Sequence, residues 1–414
     1  MANLISRREA VGLSVAAMTA AACEAAEIDD ATKRNMKATP FLTPAEKFTD
    51  VSRGDPIPHT LKGDALVKAR LTPETWRLEI TSSDDAGTPK KATIQKPLTI
   101  ADGNALDFRA LMTLGEKHGV RFLKAMQCQN IALPLGQGLW EGVPLREVLK
   151  LCGKISNARR IYYWGYHNDK PEQVFQSSLA ISQVLDTPPG ELPAFVAYRL
   201  NGKPIPLERG GPVRMVVPWA HGFKSIKWLQ KILLTNDFRA NDTYADDGND
   251  PESYLKTAAY FENSNPASYR SGESITIHGT AMVGWPGLER VEYWLRPDAG
   301  AKGKLADDDP AWNSARWQPC LLDPPPIDWG EGLPSGVQPK NVWGFDGTGT
   351  PKEWPLRFSI ARWSVVLKNV SSGAYELRVR TVDKNGYAQP APRPGGLTGR
   401  NLVQCKLLRI EPSH

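Results

Sequence analysis

The chain has 414 residues, 41% of them hydrophobic and 23% charged, with 34 Pro, 35 Gly and 13 Trp. That length exceeds one ordinary core and predicts two or three domains, and the Pro and Gly content favours short strands, turns and surface loops over a helical bundle. A net charge of +6, spread along the chain without a Lys/Arg run or a nucleic-acid module, argues against nucleic acid as a partner. The basic groups are better placed to attract a small anion.

The amino terminus reads as an export signal. Ser6-Arg7-Arg8-Glu9-Ala10-Val11-Gly12-Leu13 precedes the apolar run from Val15 to Ala22. Paired arginines before a short, weakly hydrophobic stretch match a twin-arginine signal over residues 1–26, which carries folded proteins to the bacterial periplasm. The apolar stretch is too short and too alanine-rich for a transmembrane helix. Cys23 follows Ala20-Ala21-Ala22 but lacks the leucine usual three positions before a lipid-modified cysteine, so a cleaved soluble form is expected over a lipid anchor. Of the five cysteines, Cys152, Cys320 and Cys405 stand far apart without framework spacing, and their pairing is left open. No Cys-x-x-Cys-His is present, so no c-type haem is attached to this chain.

Residues 27–47 form a polar arm, and 48–240 alternate short apolar segments with loops. Trp76-Arg77-Leu78-Glu79-Ile80 alternates as a strand, and Gly142 to Lys150 opens a helix with Pro144 near its first turn. Ala197 to Gly202 reads as a strand ending in a turn, and Arg214 to Val217 as another strand. Together these predict a mixed α+β domain. Residues 241–254, rich in Asp and Asn, read as a polar linker. Over 255–414, Ser274–Gly279, Arg290–Leu295, Trp363–Leu367 and Tyr375–Arg380 alternate at strand period, which predicts an all-β immunoglobulin-like sandwich. The Pro-rich excursion from Pro319 to Pro355 is too long for a hairpin and is expected to pack as an ordered loop, with a subunit contact as one place for it.

Two segments carry candidate chemistry. Cys128 stands alone in Lys124-Ala125-Met126-Gln127-Cys128-Gln129-Asn130. Taken alone such a cysteine reads as an inert core residue, yet a soft thiolate also suits a soft, sulfur-held metal. Arg209, Arg214, Lys224 and Lys227 fall in one short stretch, interleaved with Gly210, Gly211 and Gly222, which let backbone N–H groups approach an anion closely. A solvated basic face is the plain alternative. His221 lies in the same stretch, with a contact to a bound anion and a structural hydrogen bond both open to it. His59 and His167 read as surface-loop residues, and Asp84-Asp85 and Asp307-Asp308-Asp309 as solvated loops.

The ordered set of motifs resembles the sulfite oxidase superfamily. Cys128 followed by Trp140-x-Gly142-Val143-Pro144-Leu145 is similar to the family's metal-cysteine segment, and Ala197 to Pro206 to its strand-turn before the pterin site. The resemblance implies a molybdenum-molybdopterin cofactor with Cys128 as metal ligand. Arg209, Arg214, His221, Gly222, Lys224, Ser225 and Lys227 would hold the pterin and its phosphate. Asn130 and Tyr260 are implied beside the metal, and Arg53, or Ser52 one residue away, for anion guidance. Trp363 to Arg380, then Asp383 to Pro390, resembles the family's dimerisation domain, implying a homodimer. Two departures bear on substrate. Gln129-Asn130-Ile131-Ala132-Leu133 replaces the arginine-bearing run that follows the family cysteine, and Pro218-Trp219-Ala220-His221-Gly222-Phe223-Lys224 is similar to the methionine-sulfoxide reductase branch. The expected activity is two-electron oxygen-atom transfer on a small sulfur oxyanion or a sulfoxide, with a separate cytochrome or membrane electron partner. A non-catalytic partner subunit of the same fold is the alternative.

Overall fold

The computed structural model describes residues 41–83, 90–128, 133–166, 170–252, 254–297, 303–307, 309–330, 341–390 and 401–413. The expected signal, Cys23, Asp84-Asp85, Asn130, His167 and Asp308 lie outside them.

The N-terminal half is built on two sheets. In one, the strands run in the order Leu106–Asp107, Arg77–Ser82, Leu229–Thr235, Arg160–Gly165, Gln176–Ala180. Arg77–Ser82 lies parallel to Leu229–Thr235, so residues far apart in sequence close this sheet. Alternation works as the sequence predicts: Leu78 and Ile80 are fully buried while Arg77 and Glu79 are not. The second sheet orders Lys203–Pro204, Phe195–Leu200, Gly136–Pro144, Val120–Met126, with Arg214–Val216 also pairing with Phe195–Leu200. Asn201 and Gly202, both at positive φ (51° and 75°), make the tight turn between its first two strands.

The helix expected from Gly142 starts later than the sequence predicts. Gly142, Val143 and Pro144 belong to the strand Gly136–Pro144, and the helix begins only at Leu145. A Cβ on Gly142 would meet the Val196 carbonyl oxygen at 2.3 Å, so the glycine serves close strand approach, and Pro144 stands at the N-cap instead of inside the first turn.

The C-terminal half is a pair of sheets. One contains Ala258–Phe261, Ile275–Met282, Ile360–Leu367 and Leu321–Leu322; the other contains Ser268–Arg270, Gln404–Glu411, Gly373–Asp383, Leu288–Pro297 and Gln318–Pro319. Ile277, Trp363, Val291, Leu377 and Leu408 join their facing sides in one buried cluster.

The Pro-rich excursion packs against this chain's own N-terminal half. Trp329, Val342, Phe345 and Leu356 cluster with Phe41, Leu42, Leu123 and Leu139. The physical reason lies at a sheet edge. Val120–Met126 is the last strand of its sheet, and an uncovered edge leaves backbone groups unpaired. Trp343 N–H donates to the Arg121 carbonyl (2.7 Å), and Ala125 N–H donates to the Phe358 carbonyl (2.8 Å). The covered strand leads directly to Cys128.

Trp329 is 2% exposed and meets Phe41, Phe345 and Trp354 edge-on. Trp329→Ala is predicted to lower unfolding stability by about 3–5 kcal/mol, read from the midpoint of a denaturant titration.

Candidate active site

A cleft of about 170 Å³ opens between the end of the Val120–Met126 strand and the segment after Arg214–Val216. Met126, Cys128 and Leu135 line one side; Arg209, Arg214, Gly222, Ser225 and Lys227 line another; Phe48, Ser52 and Arg53 form the rim with Phe175, Phe223 and Tyr244. The fold thus brings together Cys128, Arg53, Arg209, Arg214, Gly222, Ser225 and Lys227 from the sequence-derived set. Burial pushes the thiols of Cys152 and Cys405 up to about 11 and that of Cys320 higher still. Those three are held as thiols at neutral pH, and among the described cysteines Cys128 alone lines the cleft.

The two arginines set the electrostatics. Arg209 donates from Nη1 to the carbonyls of Phe48 (2.9 Å) and Thr49 (3.4 Å). Arg214 donates to the carbonyls of Arg209 (2.7 Å) and Ser225 (2.5 Å), with its guanidinium 5.1 Å above the Trp140 ring. Both are mostly buried, and among the described residues neither Nε has a hydrogen-bond partner. Burial, then the charge of Arg209, pulls Arg214 down to about 9. Two buried guanidinium groups held by carbonyls, with no carboxylate on either among the described residues, form a site that gains from an incoming anion.

Lys227 is differently placed. Its ammonium donates to Asp50 Oδ1 (2.9 Å), Ser52 Oγ (2.6 Å) and the Glu208 carbonyl (2.8 Å). Burial and the neighbouring Arg214 pull it down to about 8 against the favourable pull of Asp50. Burial works to raise Asp50, but hydrogen bonds from Ser52 and Lys227 outweigh it and hold the carboxyl at about 2. Gly210, at φ 93°, lets Lys227 come this close, since a Cβ there would meet the lysine Cβ at 2.6 Å.

Three sequence-derived residues lie outside the cleft lining. Lys224 turns inward: its Nζ donates to the Ser178 carbonyl (2.6 Å) and pairs with buried Asp242 (3.7 Å). Burial lowers its pKa, while Asp242 favours its charge. His221 is 3% exposed, and burial with the nearby charge of Lys124 lowers it to about 4, so it is neutral. Tyr260 is 7% exposed in the strand Ala258–Phe261, with its phenol pushed far up by burial. Its neighbours are core side chains, and the tyrosine in the cleft is Tyr244.

Tyr244 comes from the segment read as a linker. Asp242 caps the short helix Thr243–Asp246 through Ala245 N–H (3.1 Å), and Lys224 pairs with the same carboxylate. The Tyr244 ring then stacks on Phe223 at 4.0 Å and meets Phe175 edge-on. Burial, reinforced by the charge of Cys128 and opposed by Arg53, raises its phenol to about 12, so it remains a proton donor at neutral pH. The sequence signal was there: Asp242 followed by Thr243-Tyr244 is an N-cap with one large aromatic after it.

The family described as oxidoreductase molybdopterin binding domain matches residues 65–243, the segment that holds most of this cleft. The chain is 28% identical to the catalytic subunit of a protein-methionine-sulfoxide reductase from Xanthomonas axonopodis pv. citri, over 46% of this chain and 66% of that one. It is 28% identical to mitochondrial sulfite oxidase of Macaca fascicularis, over 43% and 32%. Residues 65–243 thus match a molybdopterin-binding oxidoreductase domain, and these relatives support a molybdopterin oxidoreductase of the sulfite oxidase type. Sulfane dehydrogenase SoxCD from Paracoccus pantotrophus is similar to this chain in fold, with a TM-score of 0.54 and 17% identity over 86% of each chain. A nitrate reductase from Fusarium oxysporum is 35% identical over 25% of the chain and 11% of its own length. The chain spans less than two thirds of the length of these curated relatives.

The residues present fit molybdenum-molybdopterin, the cofactor this family carries. Cys128 would supply the protein thiolate; Arg209 and Arg214, with their unspent Nε groups, and Lys227 would hold the pterin and its phosphate. When bound, the cofactor supplies two-electron redox chemistry together with oxygen-atom transfer.

Gly222 separates folding from loading. It lines the cleft, and a Cβ there would lie at an ordinary 3.4 Å from the Gln127 carbonyl oxygen. Gly222→Ala is predicted to stay within about 0.5 kcal/mol of wild-type stability while its pterin content per chain falls severalfold. Thermal unfolding and pterin fluorescence check the two halves.

Proposed function

We propose that this protein oxidises a small sulfur compound in the periplasm, after export by a twin-arginine signal over residues 1–26. The substrate sulfur gains the oxygen atom of a water molecule and gives up two electrons, the two protons of that water are released to solvent, and the electrons pass singly to a separate cytochrome. The C-terminal two-sheet unit serves as an immunoglobulin-like dimerisation domain. Among the named relatives, the sulfite oxidase and the methionine-sulfoxide reductase support this substrate class, and the nitrate reductase is the exception.

One observation carries the reading. Cys128 opens onto the same cleft as the two carboxylate-free arginines, under a rim of Phe175, Phe223 and Tyr244 with a single exposed cation, Arg53. The Arg53 guanidinium lies 4.6 Å above the Phe175 ring. An aromatic rim with one cation fits a soft, weakly charged sulfur centre carrying one anionic group better than a compact, strongly hydrated dianion. In this reading Tyr244, which lines the cleft where Tyr260 does not, would donate its phenol to substrate oxygen.

Loaded enzyme should be assayed with sulfite and a low-molecular-weight persulfide, using ferricyanide as acceptor, and with methionine sulfoxide, using reduced viologen as donor. Oxidation of a sulfur substrate is expected to dominate. Arg53→Ala should raise KM about tenfold with a smaller change in kcat, since it removes binding common to substrate and transition state. Turnover of the sulfoxide alone would reverse the direction. No sulfur turnover by fully loaded protein would overturn the substrate class.

A further inference from the structure

Lys124 is a buried ammonium that the chemistry above leaves unused. It sits within Val120–Met126, four residues before Cys128, and is fully buried. Its Nζ donates to the Pro218 carbonyl (2.8 Å) and the Ala220 carbonyl (3.2 Å). Between them, the Trp219 carbonyl accepts from Leu255 N–H (2.8 Å). Two residues further on, Gly222 N–H donates to the Gln127 carbonyl (2.7 Å). The turn that enters the cation cradle is therefore fastened to the cysteine-bearing strand at two points, one through the Lys124 side chain and one through backbone. The Lys124 carbonyl also accepts from Trp140 Nε1 (3.2 Å), and Trp140 is the ring beneath Arg214.

A carbonyl pair accepts from an ammonium but does not neutralise it. The charged group acting on this lysine is Arg214; beyond it lie Arg209, Lys227 with its Asp50 partner, and His221, itself near Lys256. Among the described residues no carboxylate acts on Lys124 itself. Burial first, then Arg214, pulls Lys124 down to about 7. A methionine would fill the same strand position without that electrostatic cost, so a lysine here is explained by a need for its charge and donors.

We propose that Lys124 is a positioning residue for the cofactor: its ammonium fastens the Pro218–Gly222 turn to the Cys128 strand and adds an unseen positive charge behind Arg214, strengthening the hold on an anion in the cleft. Bound anion in turn favours the charged lysine, so cofactor retention and protonation at Lys124 are coupled. Below its pKa the ammonium is intact and both effects operate. As pH rises through it, the charge is lost and the cofactor's phosphate is held less strongly. This proposal rests on the cofactor assignment, not on the identity of the substrate.

The test follows pterin release from purified, loaded protein diluted into buffers from pH 6 to 9. It compares wild type with Lys124→Met and Lys124→Arg and verifies folding by circular dichroism. Lys124→Met should lose pterin about tenfold faster at pH 7, whereas Lys124→Arg, charged throughout, should stay within about threefold of wild type. Wild-type release should accelerate with pH more steeply than that of Lys124→Arg. Lys227 also titrates near this range but is present in both, so the difference belongs to Lys124. A folded Lys124→Met protein that keeps its pterin as long as wild type would overturn the proposal. If Lys124→Met does not fold, equal pH slopes for wild type and Lys124→Arg would overturn it instead. Wild type that purifies without pterin would strike the cofactor assignment itself.

Discussion

Positive charge held in a protein interior without a counter-charge is the constraint around which this molecule is organised. Arg209 and Arg214 face a common cleft, are fastened by backbone carbonyls and keep an unspent Nε each. Lys124 adds a third buried cation behind them. Such an arrangement opposes folding to a degree that only packing and hydrogen bonding nearby can offset. The site holds these guanidinium groups already oriented, so a bound anion meets donors that need little rearrangement.

The rest of the fold keeps those charges and Cys128 in place. The Cys128 strand is the last in its sheet, and its outer edge is covered by Trp343 and Phe358 from the far end of the chain. The Pro-rich excursion anchors that cover through Trp329 and Phe345. On the opposite side, the Lys224–Asp242 pair fixes the short helix that delivers Tyr244. Lys227 differs from the two arginines because Asp50 and Ser52 already engage it. An arriving phosphate must share or displace those partners, so the arginines provide the stronger initial pull.

Residue type and spacing revealed the site's chemistry more readily than its directions. Cys128, Arg209, Arg214 and Lys227 were visible because thiolate and cations stand out against their surroundings, and all four reach one cleft. Lys224 belongs to the same basic stretch, but one short turn sends its side chain toward Asp242, a contact no local pattern specifies. Tyr244 was hidden because its neighbours are polar and acidic, which resembles a linker until Asp242 is seen to be a buried cap. Lys124 was hidden for the opposite reason, as one lysine in an apolar strand whose partner carbonyls lie about ninety residues on in the sequence. Strands fared well where alternation was strong, as at Leu78 and Ile80. The helix boundary at Pro144 shifted because Gly142 serves strand pairing.

The central claim is that Cys128 gives its thiolate to a molybdenum centre whose pterin is held by Arg209 and Arg214. Molybdenum K-edge absorption on purified protein, wild type against Cys128→Ser and Arg214→Met, tests it most directly. The account predicts about one molybdenum per chain, one sulfur scatterer fewer in any metal-bearing Cys128→Ser protein, and reduced metal with an unchanged sulfur shell in Arg214→Met. A sulfur shell identical in wild type and metal-bearing Cys128→Ser would contradict it.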